Sequence, residues 1–338
     1  MNIREAIEKL VDRVDLTEQE TVSVMNQIMT GEATPIQVAS FLTALRMKGE
    51  TVEEITGAAR VMREKASRVR IKADCVVDTC GTGGDQRGTF NISTTAAFVV
   101  AGAGIAVAKH GNRSVSSRSG SADVLLALGV KIDAPKEQVE ECLETIGIGF
   151  LFAPLLHEAM KYALQPRREM GIRTIFNLLG PLTNPASATH QLVGIYDGKL
   201  TESIARVLKN LGNQRAMVVH GMEGLDEISL CGPTKVSELR DGRVVNYTVV
   251  PDELGLERCA PEELRGGTPE ECAAILRAVL QGEKGPKRDV VLLNGGAALY
   301  VSGAADSIGQ GMRLAADSID AGKAERKLQQ LIEMTNSQ

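Results

Sequence analysis

Three polar, glycine-rich stretches lie close together in the first half of the chain and contain side chains suited to binding an anion. They are Asp78–Asp85 (DTCGTGGD), Thr89–Thr94 (TFNIST) and Lys109–Ser121 (KHGNRSVSSRSGS). Glycines allow positive φ, and consecutive backbone amides can then form a concave nest that binds phosphate. An ordinary tight turn would explain the first stretch by itself. Three such stretches in succession favour an anion site instead.

The segments around these stretches predict where the site lies in the fold. Cys75–Cys80 is strand-like, so the first glycines lie at a strand's carboxyl end, where open α/β sheets bind ligands. Ser93 and Thr94 precede the apolar run Ala96–Ala101 and are expected to cap a helix whose N-terminus attracts negative charge. The sequence contains neither a Walker motif nor Gly-x-Gly-x-x-Gly. ATPase and dinucleotide-binding functions are therefore disfavoured.

Composition narrows the class of protein further. The chain has 338 residues, which is long enough for two domains, and 43% of them are hydrophobic. Its net charge of −5 argues against a nucleic-acid surface. The six cysteines form no Cys-x-x-Cys pair, so reduced thiols in a cytoplasmic protein fit better than zinc or disulfides. Because no apolar run approaches about 18 residues, a membrane span is not expected.

The chain is predicted to begin with helices and to continue as an α/β domain. Residues 3 to about 66 are helical, with capping boxes at Thr17 and Thr51. Short apolar strands then alternate with helices, which predicts a mostly parallel central sheet. A hairpin is expected at Val236–Val250. The predicted strands are Cys75–Thr79, Ile105–Ala108, Gly149–Phe152, Gln191–Tyr196, Ala216–His220 and Val290–Leu293.

An acidic pair, Asp226 and Glu227, is the best candidate for binding a divalent cation. The pair follows a glycine-containing loop just beyond the predicted strand Ala216–His220. Mg²⁺ prefers oxygen ligands and is usually bound by one or two carboxylates together with a phosphate. A solvated acidic turn is the alternative. From the residues alone, both interpretations of the pair stay open.

The amino-acid sequence of several motifs resembles that of the anthranilate phosphoribosyltransferase family, and the resemblance covers roughly residues 3 to 325. Pyrimidine nucleoside phosphorylases are similar in fold, but they lack the GTGGD and RTIFNLLGP runs. The matching runs stand in family order: Gly81–Asp85 (GTGGD), Asn91–Thr94 (NIST), Lys109–Arg113 (KHGNR), Gly120–Val124 (GSADV), Phe150–Pro154 (FLFAP), Arg173–Pro185 (RTIFNLLGPLTNP) and Gly224–Ser229 (GLDEIS).

The resemblance implies a fold and a reaction. The fold would be a small helical domain plus a larger α/β domain with a mostly parallel central sheet, like nucleoside phosphorylases and phosphoribosyltransferases. Residues 1–72, completed by about 165–190, would form the helical domain, and 73–164 with 191–338 the α/β domain. The reaction would transfer the 5-phosphoribosyl group of phosphoribosyl pyrophosphate (PRPP) to the amine of anthranilate. It is the second step of tryptophan synthesis from chorismate, and a homodimer through the helical domain is implied.

The resemblance also assigns site residues. Mg²⁺, with two ions per subunit, would be bound by Ser93, Asp226 and Glu227. Anthranilate would contact Gly81, Asn112 and Arg167, with His157 and Tyr162 as further candidates for lining its pocket. No catalytic acid or base is expected, because the aromatic amine is already neutral at pH 7. The residues implied to bind PRPP are Gly81, Gly84, Asp85, Thr89, Asn91, Ser93, Thr94, Lys109, Asn112, Arg113, Ser117 and Ser121.

Some alternatives remain open at this point. The family commonly has proline two positions before the anthranilate arginine, whereas here Pro166 directly precedes Arg167, so Arg168 is a possible substitute. His110 is either a substrate contact or a structural imidazole. A nucleoside phosphorylase-like enzyme would need no metal. A catalytically silent paralogue that acts as a binding protein would be expected to lose the Asp-Glu pair or to gain a basic face, and the sequence shows neither change.

Overall fold

The computed structural model describes residues 1–114 and 118–337. Capping boxes at Thr17, Thr34 and Thr51 begin the second, third and fourth helices. In each box the threonine side chain accepts a hydrogen bond from the backbone N–H three residues on, and the Glu or Gln side chain at that position accepts one from the threonine N–H. The expected run of N-terminal helices is therefore confirmed. These helices are α1 (Ile3–Val11), α2 (Glu18–Thr30), α3 (Pro35–Lys48) and α4 (Val52–Lys65).

The remainder of the chain alternates strands and helices. The strands are β1 (Val76–Asp78), β2 (Ala106–Gly111), β3 (Ile148–Phe152), β4 (His190–Gly194), β5 (Arg215–Gly221), β6 (Thr234–Arg240) and β7 (Arg243–Val249). The helices are α5 (Ile92–Gly102), α6 (Ser121–Ala127), α7 (Lys136–Ile146), α8 (Ala153–Leu156), α9 (Lys161–Met170), α10 (Phe176–Leu179), α11 (Thr201–Asn210), α12 (Pro269–Leu280), α13 (Pro286–Ser302), α14 (Ile308–Asp320) and α15 (Lys323–Asn336).

The strands form one sheet in the order β3-β2-β1-β4-β5-β6-β7. Neighbours among β1 to β5 are parallel, whereas β6 and β7 are antiparallel and form the expected hairpin. The mostly parallel sheet predicted from the sequence is thus confirmed. The carboxyl ends of β1 to β5 meet at one edge, here called the carboxyl edge, and the strand order reverses between β1 and β4. Open sheets bind ligands at such a reversal.

One predicted strand is wrong. Val290–Leu293 lies inside the helix α13, which is buried on almost every side and packs on α5 and α14. A short apolar run does not distinguish a buried strand from a buried helix, because both lack a polar face. Glycines permit the close packing here, since a Cβ at Gly296 would come within 2.6 Å of the Met312 backbone nitrogen.

The segment from residue 153 to 184, here called the return segment, packs back on the N-terminal helices. Its helix α9 lies on α2 and α3, and α10 lies on α4. Phe176 of this segment shares one apolar cluster with Phe41 of α3 and Val193 of β4. The return segment therefore connects the helices to the sheet.

No helix in the described part of the chain is both long enough and apolar enough to span a bilayer.

Candidate active site

The acidic pair lies at the carboxyl edge, in the loop that follows β5. The backbone N–H of Gly83 donates to Asp226 Oδ2 at 2.7 Å, and that of Ser93 donates to Glu227 Oε1 at 3.2 Å. At the end of β4, a Cβ at Gly194 would come within 1.5 Å of the Asp226 carbonyl oxygen. Only glycine admits this approach, so the ends of β1, β4 and β5 converge on the pair.

Burial disfavours the charged forms of the two carboxyl groups of this loop. Burial raises the pKa of Asp226 well above its usual range, and the charges of Asp85 and Glu227 add to the effect. Burial also raises the pKa of Glu227 to about 7, although nearby Lys109 opposes the shift. Asp85 Oδ2 is buried and has no hydrogen-bond partner among the described residues. Carboxylate oxygens such as those of Asp85, Asp226 and Glu227 are the ligand type that a hard divalent cation prefers, and a cation there would favour their charged forms.

The loop Gly81–Asp85, here called the glycine loop, is held in place from several sides. Its Thr82 N–H donates to the Gly194 carbonyl at 2.8 Å, and the Tyr196 N–H donates to Thr82 Oγ1 at 3.2 Å. Gly83 and Gly84 have φ of +65° and +77°, as expected for a nest. Within the described chain, the N–H groups of Gly84 and Asp85 make no hydrogen bond. Two adjacent donors are therefore available to an anion.

Sequence reasoning gives no role to Arg173, which also contacts the glycine loop. Its Nη2 donates to the Gly84 carbonyl oxygen, and its guanidinium carbon lies 4.2 Å from the centroid of the Tyr196 ring. The sequence indicates only the partner of this arginine, because Tyr196 lies just beyond the carboxyl end of β4, where loops that bind ligands are expected. The contact of Arg173 with a loop 89 positions away has no local signal.

The strand β2 extends three residues further than predicted and contains Lys109 and His110. Lys109 is buried, and its Nζ donates to the Thr79 carbonyl at 3.1 Å. The lysine ammonium group therefore lies just beyond the end of β1, and its charge acts on Glu227. This placement corrects the expectation that Lys109 follows the strand, since pairing with β3 continues to Gly111.

Two buried histidines lie where the return segment meets the carboxyl edge. The His110 and His157 ring centroids are 5.2 Å apart, and His110 Nδ1 lies 3.0 Å from the Gly180 carbonyl oxygen. Burial lowers the pKa of His110 to about 3 and that of His157 to about 4, so both rings are neutral. Both Nε2 atoms are buried without a hydrogen-bond partner in the described ranges.

The loop after β2 is more exposed than the glycine loop. Asn112 and Arg113 are exposed, and Arg113 Nη1 lies 3.4 Å from Asp123 Oδ1. Ser121 Oγ donates to the Asn112 carbonyl at 3.3 Å. Ser117, which the family resemblance assigns to PRPP, lies outside the described residues.

The start of α5 differs from the prediction. The helix begins at Ile92, so Ser93 and Thr94 lie in its first turn and do not cap it. Asn91 occupies the capping position without a side-chain cap bond. The sequence pattern does not predict this start, because the first helical residue, Ile92, is apolar and precedes the two hydroxyl residues that are expected to cap the helix. Asn91 Oδ1 and Thr94 Oγ1 are buried without partners in the part that the structure describes, whereas Thr89 pairs with Arg265 in an isolated bridge.

The two arginines of α9 have different surroundings. Arg167 is half-buried, with its guanidinium carbon 5.0 Å from the centroid of the Phe176 ring, and burial lowers its pKa. Among the described residues, its guanidinium has neither an acidic partner nor a hydrogen-bond acceptor. Arg168 is exposed. The buried Pro166 is accommodated inside the helix, and Tyr162 packs over Gly31 of the loop after α2.

Comparison of the sequence with known proteins identifies it as a member of a glycosyl transferase class. Profiles of the glycosyl transferase family match twice: the helical bundle domain at residues 4–66 and the a/b domain at residues 73–325. An anthranilate phosphoribosyltransferase from Symbiobacterium thermophilum is 59% identical over 330 residues, covering 98% of this chain and 97% of the relative.

Solved structures agree with this class. The anthranilate phosphoribosyltransferase of Thermus thermophilus is 44% identical, with a TM-score of 0.94 over 98% of this chain and 99% of its own. The Saccharomyces cerevisiae enzyme in complex with PRPP and Mg is 28% identical, with a TM-score of 0.91 over 99% of this chain and 98% of its own. The chain belongs to the anthranilate phosphoribosyltransferase family.

Proposed function

We propose that this protein transfers the 5-phosphoribosyl group of PRPP to the amine of anthranilate, giving N-(5-phosphoribosyl)anthranilate and pyrophosphate. This reaction is the second step of tryptophan synthesis from chorismate. Family membership supports the proposal, as does the yeast relative described in complex with PRPP and Mg. The observation that carries it is the acidic pair set directly against a glycine loop with unpartnered amides.

The proposed metal site consists of Ser93, Asp226 and Glu227, with two Mg²⁺ ions per subunit. The raised pKa values of the two buried carboxyl groups and the unpartnered Asp85 Oδ2 in the described structure support it, because a bound cation would favour the charged forms. When bound by these residues, Mg²⁺ would neutralise the charge that develops on the departing pyrophosphate. The protein contributes by fixing both carboxylates with backbone N–H donors, so that they need no rearrangement when the ion binds.

The proposed PRPP site extends from the glycine loop to the start of α6. Backbone amides, hydroxyls and cations in this region match phosphate oxygens and ribose hydroxyls. The buried, unpartnered oxygens of Asn91 and Thr94 support the assignment, since such atoms are otherwise rare. The residues are Gly81, Gly84, Asp85, Thr89, Asn91, Ser93, Thr94, Lys109, Asn112, Arg113, Ser117 and Ser121.

Anthranilate is proposed to bind with its carboxylate on Arg167, near Gly81 and Asn112. A half-buried guanidinium without an acidic partner in the described chain favours an anionic ligand, and the planar fork of arginine matches a carboxylate. The aromatic amine is neutral at pH 7 and attacks without a protein base. Orientation of the amine toward C1 of the ribose is then the main task of the site.

A homodimer through the helices is part of the proposal. The apolar side chains of Val11, Ile36 and Met47 on the N-terminal helices are 67%, 79% and 68% exposed, which leaves them available to a partner subunit. The division into a helical domain (1–72 with about 165–190) and an α/β domain (73–164 with 191–338) is proposed with it. A cytoplasmic location fits the six free cysteines.

One assay tests the activity. Purified protein is mixed with anthranilate, PRPP and Mg²⁺, and the loss of anthranilate is followed by its fluorescence. Consumption that requires all three components supports the proposal. Parallel reactions contain thymidine or uridine with inorganic phosphate and are expected to release no free base. Release of base at a rate comparable to anthranilate consumption would favour a nucleoside phosphorylase instead.

A further inference from the structure

Arg173 links two parts of the molecule that are distant in sequence. It lies between α9 and α10 in the return segment, six positions after Arg167, yet its guanidinium rests on the glycine loop. A Cβ at Gly84 would lie 3.5, 3.8 and 4.0 Å from Arg173 Nη2, Cζ and Nε, so the guanidinium covers Gly84. No acidic partner of Arg173 is found among residues 1–114 and 118–337. Its contacts are therefore the carbonyl and the Tyr196 ring.

The direction of this bond determines where the loop amides face. A trans peptide is planar, so the Asp85 N–H points away from the Gly84 carbonyl, which accepts the bond from Arg173. Arg173 thus fixes the orientation of a donor that is unpartnered in the described structure. Without the guanidinium, the 84–85 peptide is free to rotate, because Gly84 tolerates many backbone conformations.

Tyr196 is the platform for Arg173. Its backbone N–H holds Thr82 of the same loop, and its ring supports the guanidinium at 4.2 Å. Arginine suits this position because a planar guanidinium stacks on an aromatic face while still donating in its own plane. Lysine would retain a donor but not the stacking.

We propose that Arg173 is a positioning residue, which orients the glycine loop for PRPP and fixes the return segment bearing Arg167 relative to that loop. This inference rests on the proposed function. It predicts that loss of Arg173 weakens PRPP binding even though the side chain itself need not touch PRPP. It also predicts that part of the effect reaches anthranilate through Arg167.

Isothermal titration of the full-length protein with PRPP and Mg²⁺ tests the first part. Arg173→Ala is expected to raise the PRPP Kd by at least about tenfold, as loss of a charge-assisted hydrogen bond would. Arg173→Lys should recover part of this loss. The control is Arg313→Ala, an exposed arginine on α14 that has no ion pair in the described chain and should bind like wild type. An Arg173→Ala Kd within about twofold of wild type would overturn the inference.

A second pair of variants keeps the test decisive if Arg173→Ala does not fold. Tyr196→Phe retains the ring under the guanidinium, whereas Tyr196→Leu removes it. The Tyr196→Leu protein should therefore bind PRPP at least about threefold more weakly than the Tyr196→Phe protein. Equal binding by the two would contradict the role of the platform. Failure of the wild-type protein to bind PRPP would instead refute the proposed function, which separates the two hypotheses.

A double-mutant cycle tests the link to Arg167. Arg173→Ala is expected to raise the anthranilate KM several-fold in the wild-type background and to have almost no further effect when Arg167→Ala is present. Additive effects would show that Arg173 acts on the glycine loop alone and would overturn this part of the inference.

Discussion

The acidic pair and the return segment carry charge imbalances of opposite sign. Asp226 and Glu227 each accept a backbone N–H bond, and the charge of Lys109 only partly offsets the effect of burial on Glu227. Arg167, by contrast, lies against the Phe176 ring with no acidic partner in the described chain. The first arrangement suits a cation and the second an anion. The comparison therefore separates the metal side of the site from the proposed anthranilate side.

The two sides also differ in how they are built. The acidic side is assembled from backbone N–H donors of the glycine loop and of the first turn of α5, so its geometry is set by the segments at the carboxyl edge. The return-segment side depends on α9, with a buried proline next to Arg167, and on neutral histidines with unpartnered nitrogens in the described structure. Substitutions on the acidic side should therefore affect turnover, whereas those on the other side should affect anthranilate affinity or stability.

Removal of the acidic pair should have the largest effect. Asp226→Asn combined with Glu227→Gln is expected to lower turnover at least about 100-fold, since several kcal/mol of charge stabilisation is at stake. EDTA should abolish wild-type activity and Mg²⁺ should restore it. Anthranilate fluorescence measures both effects, and circular dichroism checks the fold. Full activity of the double variant would refute the metal assignment.

Loss of Arg167 should act on the other side of the comparison. Arg167→Ala is expected to raise the anthranilate KM by about 10- to 100-fold, because a charge-assisted hydrogen bond contributes about 1.5–3 kcal/mol. The KM for PRPP should change little, since the Arg167 side chain makes no hydrogen bond to the glycine loop in the described structure. Steady-state kinetics with each substrate varied in turn provides the measurement.

Arg168→Ala is the matched control, because that side chain is exposed. Arg168→Ala should leave turnover and the KM values for both substrates nearly unchanged. If Arg168→Ala raises the anthranilate KM while Arg167→Ala does not, the displaced proline has shifted recognition by one position along α9.

How much of this can be predicted from the sequence depends on whether the signal is local. Capping boxes at Thr17 and Thr51 lie within four residues, and both predictions are confirmed. The strand predicted at Val290–Leu293 is wrong, because burial on all sides removes the periodicity that identifies a helix.

The candidate site shows the same division. Its motifs are contiguous in sequence, so the glycine loop and the acidic pair can be recognised there. Their meeting depends on contacts across 143 positions, as between Gly83 and Asp226, and no local pattern contains such a contact. Arg173 is visible as part of a motif, but only the fold shows that it contacts Gly84.

The buried His157 of the return segment should make stability depend on pH. Burial lowers the folded-state pKa of His157 to about 4 from an ordinary 6.5, so below pH 6.5 the unfolded chain takes up a proton that the folded chain excludes. Stability should therefore be lost as pH falls from about 6.5 to about 4, by about 2 kcal/mol between pH 8 and pH 5.

Urea unfolding of wild type and His157→Gln at several pH values measures this contribution. The variant lacks the titrating group, so its unfolding free energy should fall less on acidification, by about the same 2 kcal/mol. Parallel curves for the two proteins would show that His157 is protonated readily in the folded state and is not buried as described.

The smallest effect is expected in the glycine loop of the acidic side. Gly83 has φ of +65° and no atom within 4 Å of the position that a Cβ would occupy, so Gly83→Ala should cost only backbone strain, about 1–2 kcal/mol of unfolding free energy. The N–H that binds Asp226 is retained, so turnover should fall only a few-fold. Gly180→Ala is the control, because Gly180 also has open space around it but an ordinary φ of −48°. That variant should be neutral or slightly stabilising, since alanine restricts the unfolded chain. Equal destabilisation by both substitutions would show that the positive φ at Gly83 is not what the loop requires, and would place its role in the hydrogen bond to Asp226 alone.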